Sequence, residues 1–172
     1  MTLVAISIVI AIIIFIGYNI FTVAKYNIPQ SLSMTYYLLK DESDKLKVLF
    51  PTMMYLVVAL IMPAWLTISE GSPYQFLAFL APASLLFVGT APAFMSSPLE
   101  NKVHSISAIL AAVFSMLWIC LVTPYWPAIP IWLGFVALFS IVTSTYKTSY
   151  IYWLEMVAFG ATLTTTLMHS LV

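Results

Sequence analysis

Four ionisable side chains, Glu155, His104, His169 and Glu70, stand inside or just beyond long apolar runs of this sequence. A charge in a membrane helix costs roughly 2.5–3.5 kcal/mol, so each asks for a partner or a function. Glu155 lies about two turns into the last run, and Thr162, Thr166 and His169 follow it at spacings of seven, four and three. At about 100° per residue these four fall within roughly 60° of arc. A polar stripe of that kind turns into a bundle rather than toward lipid. It serves either as glue between helices, with Glu155 paired or protonated, or as the wall of a polar cavity that handles protons or headgroups. His104 opens another run. A buried carboxyl near a histidine exchanges protons, because burial raises the carboxyl pKa and a nearby cation lowers it. Spacing gives the depth and facing of His104 and Glu155, not the distance between them. Taken alone, His104 reads as a histidine at headgroup level and His169 as interfacial.

The segment Lys25–Lys47 is the long polar exception. It carries Ser31, Ser33, Thr35, Tyr36 and Tyr37 toward the same end as Glu155 and His104. Ser31 can cap a short helix. Residues 31–39 then form an interfacial helix or re-entrant turn lying over the bundle, the alternative being a flexible loop. The candidate ligand-binding residues are Ser31, Ser33, Tyr36, His104, Glu155 and Thr162, and the candidates for catalysis are His104 and Glu155. A serine nucleophile at Ser31 or Ser33 is conceivable, but no triad spacing supports it. Two histidines and one cysteine, widely separated, match no metal-ligand spacing, so no metal is expected. There is no phosphate loop, GxSxG or HExxH, and no cofactor is expected. Hydrolases of the ceramidase type use several histidines and an aspartate in membrane helices, and this chain has no aspartate there. Cys120 lies in an apolar run and reads as a small apolar side chain.

What positions these residues is dictated by composition. The chain is 63% hydrophobic and 7% charged, against about 25% charged for a soluble domain. That is too little charge to cover a water-facing surface. With no arginine and zero net charge, a nucleic-acid partner is excluded. Six runs reach or approach the ~20 residues that cross a bilayer core: 3–24, 48–67, 74–94, 103–123, 128–145 and 149–171. The first reads as a membrane helix rather than a cleavable signal, since it has no basic start, is too long and lacks a cleavage site. Treating the fifth run as re-entrant gives a five-helix alternative. The expected fold is all-α: one polytopic domain over 1–172, a six-helix transmembrane bundle with a short interfacial segment after the first helix. The first helix, Ile-rich all round with Gly17 as its main close-contact point, should be peripheral. The third, rich in small residues and kinked by Pro82 or Pro92, should be central. It should pack against the small stripe of the fourth at Ser107 or Ala108, Ala111 or Ala112, and Ser115.

The lysines fall in connectors one (Lys25, Lys40, Lys45, Lys47), three (Lys102) and five (Lys147), six against zero for the other connectors and the termini. The positive-inside bias then puts loops 25–47, 96–102 and 145–148 in the cytoplasm and both termini outside. Tyr18, Trp65, Tyr74, Tyr125, Trp126, Tyr146, Tyr150 and Trp153 fall near run ends, where amphipathic rings settle.

Three stretches together, IPQSLSMTYY after the first run, LFVGTAPAF ending the third, and Glu100, Lys102 and His104 opening HSISAILAAVFSML, resemble the Frag/DRAM/Sfk superfamily and its bacterial relatives. The resemblance covers about residues 28–120. It implies six helices, with Ser31, Ser33 and His104 at the matched positions of a Pro-Ser-Ile-Ser type motif and a His-x-x-x-Ala helix start. Eukaryotic members are linked to lipid-anchor remodelling, lipid asymmetry and lysosomal processes. In that group the first motif usually lies on the non-cytoplasmic side, whereas the lysines place it in the cytoplasm. The expected location is a cell membrane, the bacterial inner membrane. The expected function is binding or handling of lipid headgroups at one leaflet. The alternatives are a membrane-embedded lipid-modifying enzyme using His104 and Glu155, and a structural subunit of a homo-oligomer or membrane complex.

Overall fold

The computed structural model describes residues 3–171. Among these the chain is all-α, with seven α-helices: α1 (Leu3–Tyr26), α2 (Thr35–Glu42), α3 (Leu49–Ile68), α4 (Leu77–Thr90), α5 (Pro98–Val122), α6 (Ala128–Val142) and α7 (Tyr150–Leu171). A single 3-10 turn, Leu46–Val48, leads into α3. Three stretches, Leu3–Tyr26, Leu46–Ile68 and Pro98–Val122, are long and apolar enough to cross a membrane; α4 and α6 are apolar but shorter. α7 has the length but carries the polar stripe.

Local chemistry explains where the observed bounds depart from the expected ones. The helix expected over 74–94 spans only Leu77–Thr90. Pro92 disfavours helical geometry in the residue before it, so the helix stops short. The helix expected from 103 begins at Pro98. Ser97 adopts an extended conformation and its Oγ accepts from the Glu100 N–H at 3.1 Å, Pro98 takes the first turn and Glu100 sits within it. This is a cap with a helix-start proline and a first-turn acid, and it moves the start five residues earlier. The short helix expected over 31–39 runs instead over Thr35–Glu42, preceded by turns in which Met34 and Thr35 donate to the carbonyls of Ser31 and Leu32.

Centrality is also redistributed. α3, not α4, lies at the middle, packing against α1, α4 and α7. It buries Phe50, Met53, Met54, Val57, Val58, Ile61, Ala64 and Trp65. The small residues of α4 do not centre it; they let it lie close to α3. A Cβ added to Gly89 would come within 3.0 Å of the Tyr55 ring and 3.4 Å of Met54 Cβ. α4 and α5 pack together as expected. Gly17 is not a close-contact point, since a Cβ there meets nothing within 4 Å. α1 is peripheral, exposing Ile6, Ile10, Ile13, Ile16 and Ile20. Its inward face is nevertheless polar at one end, where Tyr18, Asn19 and Thr22 are buried. α6 packs chiefly on α7 and buries only Val136 and Ser140.

Candidate functional site

Residues 28–37 do not lie loosely over the bundle; hydrogen bonds stitch them to the ends of α1, α5 and α7 and to the loop after α4. Ser149 Oγ donates to the Ile28 carbonyl at 3.3 Å, and the Tyr152 N–H donates to the Gln30 carbonyl at 3.1 Å. The Leu32 N–H donates to Glu155 Oε2 at 2.6 Å. Ser33 Oγ meets His104 Nε2 at 2.8 Å. Thr35 Oγ1 donates to the Leu32 carbonyl at 2.6 Å and bonds the Tyr18 hydroxyl. Tyr37 OH accepts from the Met95 N–H at 2.7 Å. Connectors one, three and five, which hold all six lysines, therefore share one end of the bundle.

His104 is fixed at both ring nitrogens. Nδ1 lies 2.9 Å from the Ala91 carbonyl, which has no proton to give, so Nδ1 carries the hydrogen. In the neutral ring Nε2 is then the acceptor for the Ser33 hydroxyl. The pair is shut in: Ser33 is 3% exposed and His104 6%, and Phe94 stacks on the imidazole at 4.6 Å between centroids. Glu155 and His104 do not touch. Consecutive residues join them, Leu32 holding Glu155 and Ser33 holding His104.

Below this cluster a cavity of about 250 Å³ opens between α3, α4, α5 and α7. Its walls are mostly aliphatic, with Val58, Ile61, Leu85 and Ala111 among them; Glu155, Ser115 and Thr162 are the polar residues lining it. It runs beside α3 from Met54 to Trp65 and beside α7 from Ile151 to Thr162, about 16 Å at 1.5 Å per residue. Exposed Ile109, Ile151 and Leu154 mark a lateral opening between α5 and α7. Glu155, Val88 and Ala108 lie at the end nearest the cluster, and Trp65 at the other.

The expected site residues thus separate into groups. Ser33, His104 and Glu155 meet at one end through Leu32. Thr162 lines the cavity two turns beyond Glu155, its buried hydroxyl without a hydrogen-bond partner; the hydroxyl of Thr165 is also unpartnered but lines no described cavity. Ser31 is local: its Oγ accepts from the Met34 N–H at 3.2 Å within the turn before α2, so it does not cap a helix as expected, because the helix starts only at Thr35, and it lines neither described cavity. Tyr36 is buried against the core and lies off the cavity wall. Of the polar stripe, Thr166 acts as glue, accepting from Trp65 Nε1 at 2.8 Å. His169 packs edge-on to Tyr125. Two groups escaped sequence reasoning: the Tyr152–Asn19 hydrogen bond at 3.1 Å and the Tyr18–Thr35 contact. Tyr18, Asn19 and Thr22, grouped in an Ile-rich helix, were the available signal. Outside the apolar spans, Tyr37 is pushed upward in pKa by burial. Among the described residues no cluster of three or more His, Cys, Asp or Glu side chains could hold a metal ion.

The chain matches no protein-family model, no curated protein and no solved structure.

Proposed function

We propose that this protein is a six-span membrane protein that takes one acyl chain of a membrane lipid into the α3–α4–α5–α7 cavity and holds the adjoining headgroup region at Glu155. One observation carries the reading. A mostly apolar cavity, open sideways, is about as long as one leaflet of a ~30 Å hydrocarbon core is deep, and it begins at a polar cluster. An apolar slot of that length suits an extended hydrocarbon chain, and a lateral mouth lets it enter from lipid without leaving the bilayer. In this reading α4 and α6, though short, complete the set of spans, and the bundle end with the lysines faces the cytoplasm. The cavity then opens to the inner leaflet. The similarity to the Frag/DRAM/Sfk superfamily belongs to the same reading. Support for it is that two matched positions, Ser33 and His104, meet although 71 residues apart.

The test is lipid retention. Wild type purified in mild detergent should carry about one lipid per chain by native mass spectrometry. Ala111→Leu, which fills the slot, should lose most of it at an unchanged thermal midpoint. Equal lipid content in both proteins would end the proposal.

A further inference from the structure

We propose that Ser33 is an acyl-accepting nucleophile and His104 its general base, acting on the ester carbonyl of the lipid whose chain fills the cavity. This rests on the chain-binding reading and adds a reaction to it. A serine hydroxyl is a weak nucleophile until a base is set against its proton, and the base must itself be oriented by a third group. All three are in place: Ser33 Oγ at 2.8 Å from Nε2, and Nδ1 held at 2.9 Å by the Ala91 carbonyl. That carbonyl also favours the imidazolium formed when Nε2 takes the proton.

Neither Ser33 nor His104 lines the cavity; the pair stands directly behind its polar end. Ala108, one turn below His104 on α5, lines the cavity, as does Glu155, which binds the residue before Ser33. A chain seated in the slot brings its carboxyl end toward this corner. Phe94 stacks on the imidazole, and Ser33 and His104 are themselves buried.

The step balances without a redox partner. Ser33 Oγ bonds to the carbonyl carbon as its proton passes to Nε2. The tetrahedral adduct collapses, breaking the carbon–oxygen bond to the headgroup, whose oxygen takes that proton. Ser33 is left acylated and the headgroup leaves as an alcohol. Water or a second hydroxyl attacks in turn, gives its proton to Nε2 and carries the acyl group away, and Ser33 Oγ takes the proton back.

The experiment treats the full-length protein, reconstituted in phospholipid vesicles, with a long-chain alkyl fluorophosphonate, and reads intact mass and the labelled peptide. Wild type should gain one adduct, on Ser33. Ser33→Ala should gain none, His104→Gln should label about a hundredfold more slowly, and Ser31→Ala should label like wild type. No adduct on wild type, or an adduct that survives Ser33→Ala, overturns the proposal. Lipid retention measured on the same samples separates the two readings. Protein that keeps its lipid but takes no probe overturns only the nucleophile. Protein that labels at Ser33 but holds no lipid overturns only the chain-binding slot.

Discussion

The two ends of the bundle are built on opposite principles. At the lysine-bearing end, short polar side chains and backbone groups close a network around residues 28–37. At the far end, two tryptophans do the holding. Trp65 of α3 and Trp118 of α5 stack at 4.0 Å with their rings 5° apart, both fully buried. Each indole N–H is satisfied at 2.8 Å, Trp65 by Thr166 of α7 and Trp118 by Ser69 beyond α3. A large flat ring with one donor fills space and ties three helices at a single point. The polar end spreads its ties over many weaker bonds, each conditional on the others. Such an arrangement can be altered one bond at a time, which suits an end that receives a ligand, while the tryptophan end suits a floor.

The largest effect should therefore come from the floor. Trp118→Ala removes the stack and leaves a void, and large-to-small changes of this kind cost about 3–5 kcal/mol. A thermal midpoint lowered by many degrees in detergent is the expected result. A small change would mean that the floor collapses onto itself and that the tryptophan stack does not hold this end. In lipid, where surrounding tails are as apolar as the core, this cost comes from lost packing rather than from exposure to water.

His104→Ala should come next. It strands the buried Ser33 hydroxyl and the Ala91 carbonyl, at about 1–3 kcal/mol for an unsatisfied buried group. Glu155 offers the finer contrast. Glu155→Ala leaves the Leu32 N–H without its acceptor and should cost about 1–2 kcal/mol. Glu155→Gln keeps an acceptor oxygen and should unfold nearly as wild type. If the two variants unfold alike, the carboxylate is not what holds Leu32. Exchange of the Leu32 amide, followed by mass spectrometry, reads this directly.

How much of this was written in the sequence differs between the ends. That helices stand in the apolar runs followed from run length, a local fact, while the bounds set at Pro92 and Pro98 did not. The facing of Glu155, Thr162 and Thr166 followed from helical periodicity. The Ser33–His104 contact did not, because it joins residues 71 apart through a turn whose path depends on five anchors at once. Nor did the tryptophan stack: Trp65 sits near a run end, where an aromatic reads as an interfacial anchor, and Trp118 lies within an apolar run that marks no partner for it. Only packing shows that they turn inward. The mistaken centrality of α4 has the same origin, since small residues announce close approach but not which neighbour is surrounded.

The smallest effect should come from the wet rim. Glu42, at the end of α2, accepts from Lys25 Nζ and from the Tyr26 hydroxyl. These two hydrogen bonds, Lys25's first, hold its carboxyl below the ordinary value of 4.5. A carboxyl lowered in the folded state contributes stability that is present above its ordinary value and lost as pH falls through the folded one. The contact should therefore persist at neutral pH and fail only in acid below pH 4.5. The pair is exposed, and exposed pairs contribute little to global stability. Glu42→Gln should leave the thermal midpoint where it is. What it should change is local. The Ser43 N–H bonds the Leu39 carbonyl at 3.0 Å and closes α2. Its exchange, corrected for the intrinsic rate, should rise in acid for wild type and lose that pH dependence in Glu42→Gln. If exchange at Leu32 and Ser33 rose with it, the rim and the stitched segment would be one cooperative unit. Independent exchange would place the boundary of the polar network at Tyr37, with the rest of α2 beyond it.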